Sequence, residues 1–224
     1  MLEALAAGPA SLADLVTRSG LARPTAYRIA VALERHGLVD RDSQGRFGLG
    51  ARLGELAGRT STDPVEQAAV SVLARLRDVT SESAQLYRRY GDLRRCVAAA
   101  ERPTGLRDTV PVGAELPMTA GSAAQVLLAW EPAGSVDGLL DRARFTQAVL
   151  TTVRRRGWAS SVGERESGVA SVSAPVFGAD GRVVAAVSVS GPIDRLTRQP
   201  GRLHAAEVVG AGRALSRAAG WRSG

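Results

Sequence analysis

The chain has 224 residues, of which 45% are hydrophobic and 23% charged, which suits one large or two modest packed domains and excludes a disordered chain. No apolar run approaches the roughly 20 residues that cross a bilayer, and the N-terminus lacks a signal peptide's basic leader and long apolar stretch, so the cytoplasm is the expected location and no membrane partner is expected. The formal charge of +7 comes entirely from arginine, which fits either an anionic partner such as nucleic acid or an ordinary solvated surface.

Leu2, Leu5 and Ala6 predict the end of a first helix, confined to 2–7 and stopped by Gly8-Pro9. Ser11 and Asp14 predict the cap of a second, with Leu12, Leu15 and Val16 on its apolar face and Ser19-Gly20 at its end. A third begins around Pro24, buries Ala26, Ile29, Ala30 and Leu33, and closes at His36-Gly37. Two short helices joined by a glycine turn form a helix-turn-helix, in which the second helix reads DNA. Arg23, Thr25, Tyr27 and Arg28 fall on its exposed side near the N-terminus, where side chains reach base edges in the major groove. Leu38–Arg41 and Arg46–Leu49 then predict a hairpin, or wing, with Arg46 placed for the phosphate backbone or minor groove. The competing reading is a small helical unit whose arginines only solvate its surface. Eight arginines against six acids over residues 1–60 leave this segment only mildly basic, so arrangement rather than charge carries the DNA assignment.

These features divide the chain into a DNA-binding unit over 1–49, a connecting helix over 50–62 and a larger domain over 63–224. The larger domain opens with an amphipathic helix after Asp63-Pro64. Ala84–Tyr90 and Leu93–Ala100 predict one hairpin, and Val169–Phe177 with Arg182–Ser190 another. Helices are predicted over 120–130, 145–156 and 199–218, giving an α+β fold with helices on one side of the sheet. Strand alternation puts Val183, Ala185, Val187 and Val189 on one face and Val184, Ala186, Ser188 and Ser190 on the other. Ser171 and Ser173 share a face in the partner strand, so one side of the hairpin ends in hydroxyls suited to a small ligand. Serines that face water or bond to backbone are the alternative. The small residues around Ser122 and Ala123 expose amides at a helix start, a seat for a carboxylate, unless Thr119 simply caps that helix.

Three stretches, Gly157–Glu164, Gly168–Val176 and Val187–Pro192, together with Pro117–Ala129 and the N-terminal third, resemble the IclR family of bacterial regulators. The segments Arg165–Gly168 and Leu196–Gly201 are similar to a subgroup that controls leucine and other amino-acid biosynthesis. The resemblance implies a homodimer or dimer of dimers that binds operator DNA, with a GAF/profilin-like effector domain of six antiparallel strands backed by helices. It places an effector pocket near Met118, Ser122, Ala123, Ser161, Ser171, Ser188 and Ser190, with Glu164 fixing the adjoining loop. Thr119 stands where many members have histidine, and Gln125 where lysine is common, so the effector of another branch does not carry over. The first helix is shorter than the family's, which implies a missing N-terminal segment and exposed Leu12, Leu33 and Leu38.

Enzyme chemistry has little support. There is no Gly-x-Ser-x-Gly elbow, P-loop or dinucleotide fingerprint, and His36 and His204 lack partners at ligand or catalytic spacing, so no metal or cofactor is expected. The one cysteine, Cys96, lies in an apolar strand beside Arg94-Arg95; a redox sensor or a small-molecule binder without specific DNA affinity is the alternative function.

Overall fold

The structure is a computed structural model that describes residues 1–6, 8–53, 56, 63–132 and 134–222. The chain divides into two compact units, Met1–Ser61 and Thr62–Gly224. Most of the connecting helix expected over 50–62 lies outside the described residues.

The first unit contains α1 (Leu2–Leu5), α2 (Leu12–Ser19), α3 (Arg23–Arg35), β1 (Val39–Arg41) and β2 (Phe47–Leu49). Its turns follow from local chemistry. The Ser11 hydroxyl accepts the Asp14 amide while the Asp14 carboxylate accepts the Ser11 amide, satisfying two donors at the start of α2. Gly20 ends that helix at φ 68, a left-handed conformation that glycine adopts without a side-chain clash. β1 and β2 pair antiparallel, and Phe47 also bridges to Ala10. Leu5, Ala10, Leu15, Ala30, Val39 and Phe47 form the core. Leu12, Leu33 and Leu38, expected to be exposed, are half-buried.

The second unit contains, in chain order, α4 (Pro64–Thr80), β3 (Ser83–Tyr90), β4 (Leu93–Ala100), β5 (Glu115–Pro117), α5 (Ser122–Ala129), α6 (Asp137–Leu140), α7 (Gln147–Arg156), β6 (Ala159–Val162), β7 (Val169–Phe177), β8 (Val183–Pro192), α8 (Ile193–Leu196) and α9 (Pro200–Ala218). Among the described residues the strands form one six-stranded antiparallel sheet in the order β5-β4-β3-β8-β7-β6. The two hairpins therefore meet through β3 and β8 at the centre of the sheet, with Ser83 opposite Ser190 and Tyr87 opposite Ala186.

Helices cover both faces of this sheet, which corrects the one-sided arrangement expected from sequence. α4 and α9 bury Leu73, Leu76, Val208 and Leu215 against Leu86, Val172 and Val187. On the opposite face, α5 and α7 bury Val126, Leu128, Leu150 and Val153 against Tyr87, Cys96 and Ala186. Both faces of the central strands carry apolar residues, and each needs its own cover. A bulge at the start of β8 also reverses the expected parity of two valines. Val176 pairs with Ala185 but Phe177 pairs with Val183, leaving Val184 as the extra residue. Val184 consequently packs with α4 and α9, and Val183 with the other core.

Candidate functional site

In the first unit, α3 exposes Arg23, Tyr27 and Arg28, with Thr25 half-buried among them. All four lie in the first two turns, where unpaired amides and the helix dipole favour negative charge. Arg46 precedes β2, and its Nε donates to Asp42 at 2.8 Å. The Asp42 carboxylate also accepts the Arg46 and Gln44 amides, both at 2.9 Å, and the backbone bond from Arg46 is the chief reason its carboxyl is held below the usual range. Exposed pairs of this kind are weak, so the Arg46 guanidinium stays open to an outside anion.

The second unit brings most of the expected pocket serines into one hydrogen-bonded cluster. The Ser122 hydroxyl lies 2.6 Å from that of Ser171 and 2.8 Å from that of Ser173. Ser161 meets Ser171 at 2.9 Å, and Ser173 donates to Ser188 at 2.9 Å. Ser122, Ser161, Ser173 and Ser188 are buried, and Ser171 is half-buried. Strand pairing sets this up, because Ser161 stands opposite Ser171 and Ser173 opposite Ser188. Ser190 is separate from the cluster: its hydroxyl donates to Gln85 Oε1 at 3.1 Å. Met118 and, on α5 itself, Ala123 are buried in the core on this face of the sheet.

The start of α5 is not capped by Thr119. Gly121 takes the cap position at φ 93, and side chains from elsewhere in the sheet serve the first amides. The Gly121 amide donates to Glu164 Oε2 at 2.9 Å, and the Ser122 amide donates to Ser161 Oγ at 3.1 Å. The amides of Ala123 and Ala124 make no side-chain hydrogen bond among the described residues. Gln125, one turn along, donates from Nε2 to both Glu164 oxygens, at 2.9 and 3.2 Å. Glu164 thus ties its loop to the first turn of α5. Burial pushes its carboxyl above the ordinary range, partly offset by the bonds from Gly121 and Gln125.

Arg94 is a member of this site that sequence reasoning passed over. It is 2% exposed, its Nη1 donates to the Pro117 carbonyl, and no carboxylate lies within ion-pair distance among the described residues. Its Nε has no hydrogen-bond partner, and neither does Gln125 Oε1. Burial draws the Arg94 guanidinium down to about 10, and a Cβ placed on Gly121 would lie 3.2 Å from its Nη2. Glu164 is near enough to act on Arg94 electrostatically but forms no ion pair with it, and a buried cation that lacks a direct partner and lies beside helix amides is matched to an anion. The neighbouring loop is held by Arg165, which donates from Nη2 to both Asp108 oxygens at 2.6 Å. Ser173 left a signal in the sequence, because it shares parity with Ser171, whereas Arg94 stands beside Arg95 near the start of its strand and left none.

The redox alternative fares badly. Cys96 is fully buried, and burial pushes its thiol up to about 12, far from a reactive thiolate.

Two family models match the chain: an IclR helix-turn-helix domain over residues 1–43, and a bacterial transcriptional regulator IclR C-terminal domain over residues 58–217. The glycerol operon regulatory protein of Streptomyces coelicolor is 33% identical over 237 residues, spanning 97% of this chain and 91% of that protein. An IclR transcriptional regulator from Alicyclobacillus acidocaldarius superposes with a TM-score of 0.75 at 24% identity, covering 94% of this chain and 91% of the other. An IclR homologue from Microbacterium hydrocarbonoxydans, solved with 4-hydroxybenzoate, superposes with a TM-score of 0.70 at 21% identity, covering 94% and 91%.

Proposed function

The chain belongs to the IclR family of DNA-binding transcription regulators with an effector-binding C-terminal domain, and on that premise we propose that its effector is a small hydroxy-carboxylate held between Arg94, the start of α5 and the serine cluster. The observation that carries this reading is the inventory of unmet polar groups. Arg94 Nε is a buried donor without an acceptor, and Gln125 Oε1 is a buried acceptor without a donor. A ligand that supplies a carboxylate to the first and a hydroxyl to the second completes both, and the hydroxyls of Ser122, Ser171 and Ser173 exchange their mutual bonds for bonds to it. The 4-hydroxybenzoate in the Microbacterium homologue has these two kinds of group. The link to leucine biosynthesis gains no support from the relatives, of which the Streptomyces coelicolor protein is named for a glycerol operon.

DNA is read by Arg23, Thr25, Tyr27 and Arg28, with Arg46 on the phosphates. The protein acts as a homodimer, so two copies of α3 address two half-sites. Effector binding favours one arrangement of the dimer over another and shifts operator affinity by the modest coupling usual for such systems, on the order of 1–3 kcal/mol.

The test is a screen of small hydroxy-carboxylates against the protein bound to DNA from its own upstream region, with the matching alcohols and unsubstituted acids as controls. Release or tightening by hydroxy-acids, greater than with either control, supports the reading. A response to the neutral alcohols alone would remove the role given to Arg94.

A further inference from the structure

The chain contains three tryptophans and three phenylalanines, and three of these six rings meet in one cleft that none of the clustered serines lines. The cleft, of about 360 Å³, lies between the ends of α5, α7 and β7 and the side of α9. Phe177 is at its centre, edge-on to Trp130 at 5.5 Å and stacked on Trp221 at 5.3 Å. Every charged residue lining it is an arginine: Arg154, Arg155 and Arg156 from α7, and Arg213 from α9. None of the four has an acidic partner among the described residues.

Two of these arginines are already held in place. Arg154 Nε donates to the Ala129 carbonyl at 2.6 Å. Arg156 Nε donates to the Trp158 carbonyl at 2.5 Å, and its guanidinium sits 3.7 Å over the Trp158 ring. Anchoring through Nε leaves the terminal nitrogens of each guanidinium for another acceptor. Compensation of the α7 dipole explains cations in that helix's last turn. It explains neither Arg213, which comes from another helix, nor the gathering of aromatic rings in a chain so poor in them.

From this geometry we infer a second ligand site, independent of the serine pocket, for a planar ring that carries an anionic group. The rings of Trp130, Phe177 and Trp221 supply stacking surfaces, and the arginines supply charge-assisted hydrogen bonds to a carboxylate or phosphate. The volume is in the range of small-molecule sites, and Trp130 and Trp221 make binding visible by fluorescence.

The test is titration of the full chain with benzoate and, separately, AMP at fixed ionic strength, following tryptophan emission. Arg155→Ala, Arg213→Ala and Ser171→Leu are titrated alongside, with circular dichroism to confirm that each is folded. Saturable quenching is expected with at least one probe. Each arginine variant is expected to bind about tenfold more weakly, the loss of one charge-assisted bond, while Ser171→Leu binds normally. Saturation by benzoate alone assigns the carboxylate and by AMP alone the phosphate. No saturable change with either probe, or saturation that both arginine variants leave intact, overturns the site. Loss confined to Ser171→Leu also overturns it, by placing the probe in the serine pocket instead.

Discussion

Glu164 and Gly121 are joined by a hydrogen bond of 2.9 Å from the glycine amide to the carboxylate, across 43 residues of sequence. The amide of the residue that caps α5 is thereby held by an acid of the chain itself, on the loop after β6. The same acid receives Gln125, so the loop and the first turn of α5 are tied at two points. If the effector binds as proposed, its carboxylate meets Glu164 at this corner, so this contact is where effector binding is expected to act.

The charge of Glu164 can be tested by pH. Burial raises its carboxyl pKa in the folded protein, so folding favours the protonated form. The sign follows: stability associated with this group is greatest below the ordinary glutamate range and is withdrawn as pH rises through the raised value. Glu164→Gln keeps an acceptor for Gly121 and removes the charge. Its melting temperature is expected to exceed that of the parent at pH 7, with the difference vanishing as pH falls below the carboxylate range. A variant less stable than the parent at pH 7 contradicts this.

Arg94 should separate binding from stability. Replacement by methionine removes a buried cation that has no direct ion pair and keeps an apolar stem of similar length. Arg94→Met is expected to melt no lower than the parent and to lose about 10- to 100-fold in affinity for a hydroxy-carboxylate effector, the worth of a hydrogen bond to a charged group. Calorimetry and differential scanning measure the two quantities on one sample. A collapse in melting temperature would make Arg94 a structural residue.

Filling the serine cluster should block the effector without disturbing DNA. In Ser171→Leu the side chain intrudes where hydroxyls now meet at 2.6 and 2.9 Å. The cost to the domain is about 1–3 kcal/mol, typical of added volume in a packed site. Operator affinity in the absence of effector is expected to be unchanged, and the effector-dependent shift to disappear. A normal shift in an electrophoretic mobility assay would move the pocket elsewhere.

Arg28 and Arg46 are expected to differ in kind. Arg28→Ala should lower affinity for the operator about 10- to 100-fold more than for an unrelated duplex, as for a bidentate base contact. Arg46→Ala should weaken both duplexes equally and reduce the salt dependence by about one ion. Measuring both duplexes at two salt concentrations distinguishes them. Equal losses for Arg28→Ala would make it a phosphate contact too.

The legible parts of this protein were those with local causes. Ser11, Asp14, Gly20 and Pro24 mark their turns and caps through their own chemistry, and the first unit follows from them. Ser161, Ser171 and Ser188 came with the family resemblance, and strand alternation independently placed Ser171 and Ser188 on hydroxyl-bearing faces. What escaped depends on distant partners. β5 and β6 are edge strands of three and four residues, too short to show alternation. The bulge at Val184 exists only relative to Phe177 across the hairpin. Arg94 looked like one more surface arginine beside Arg95. Only the approach of Gly121 and Pro117 reveals it as buried.

The pairing of β3 with β8 also orders events at the ribosome. Ser83 must wait for Ser190, more than a hundred residues later, before the middle of the sheet can close, and α9 must follow to cover it. The helix-turn-helix unit, by contrast, closes its core from residues within about the first fifty. Long-range pairing is slow and local pairing fast. A nascent chain therefore acquires its grip on DNA well before its ability to sense anything, and a truncated product is expected to be a regulator deaf to its signal.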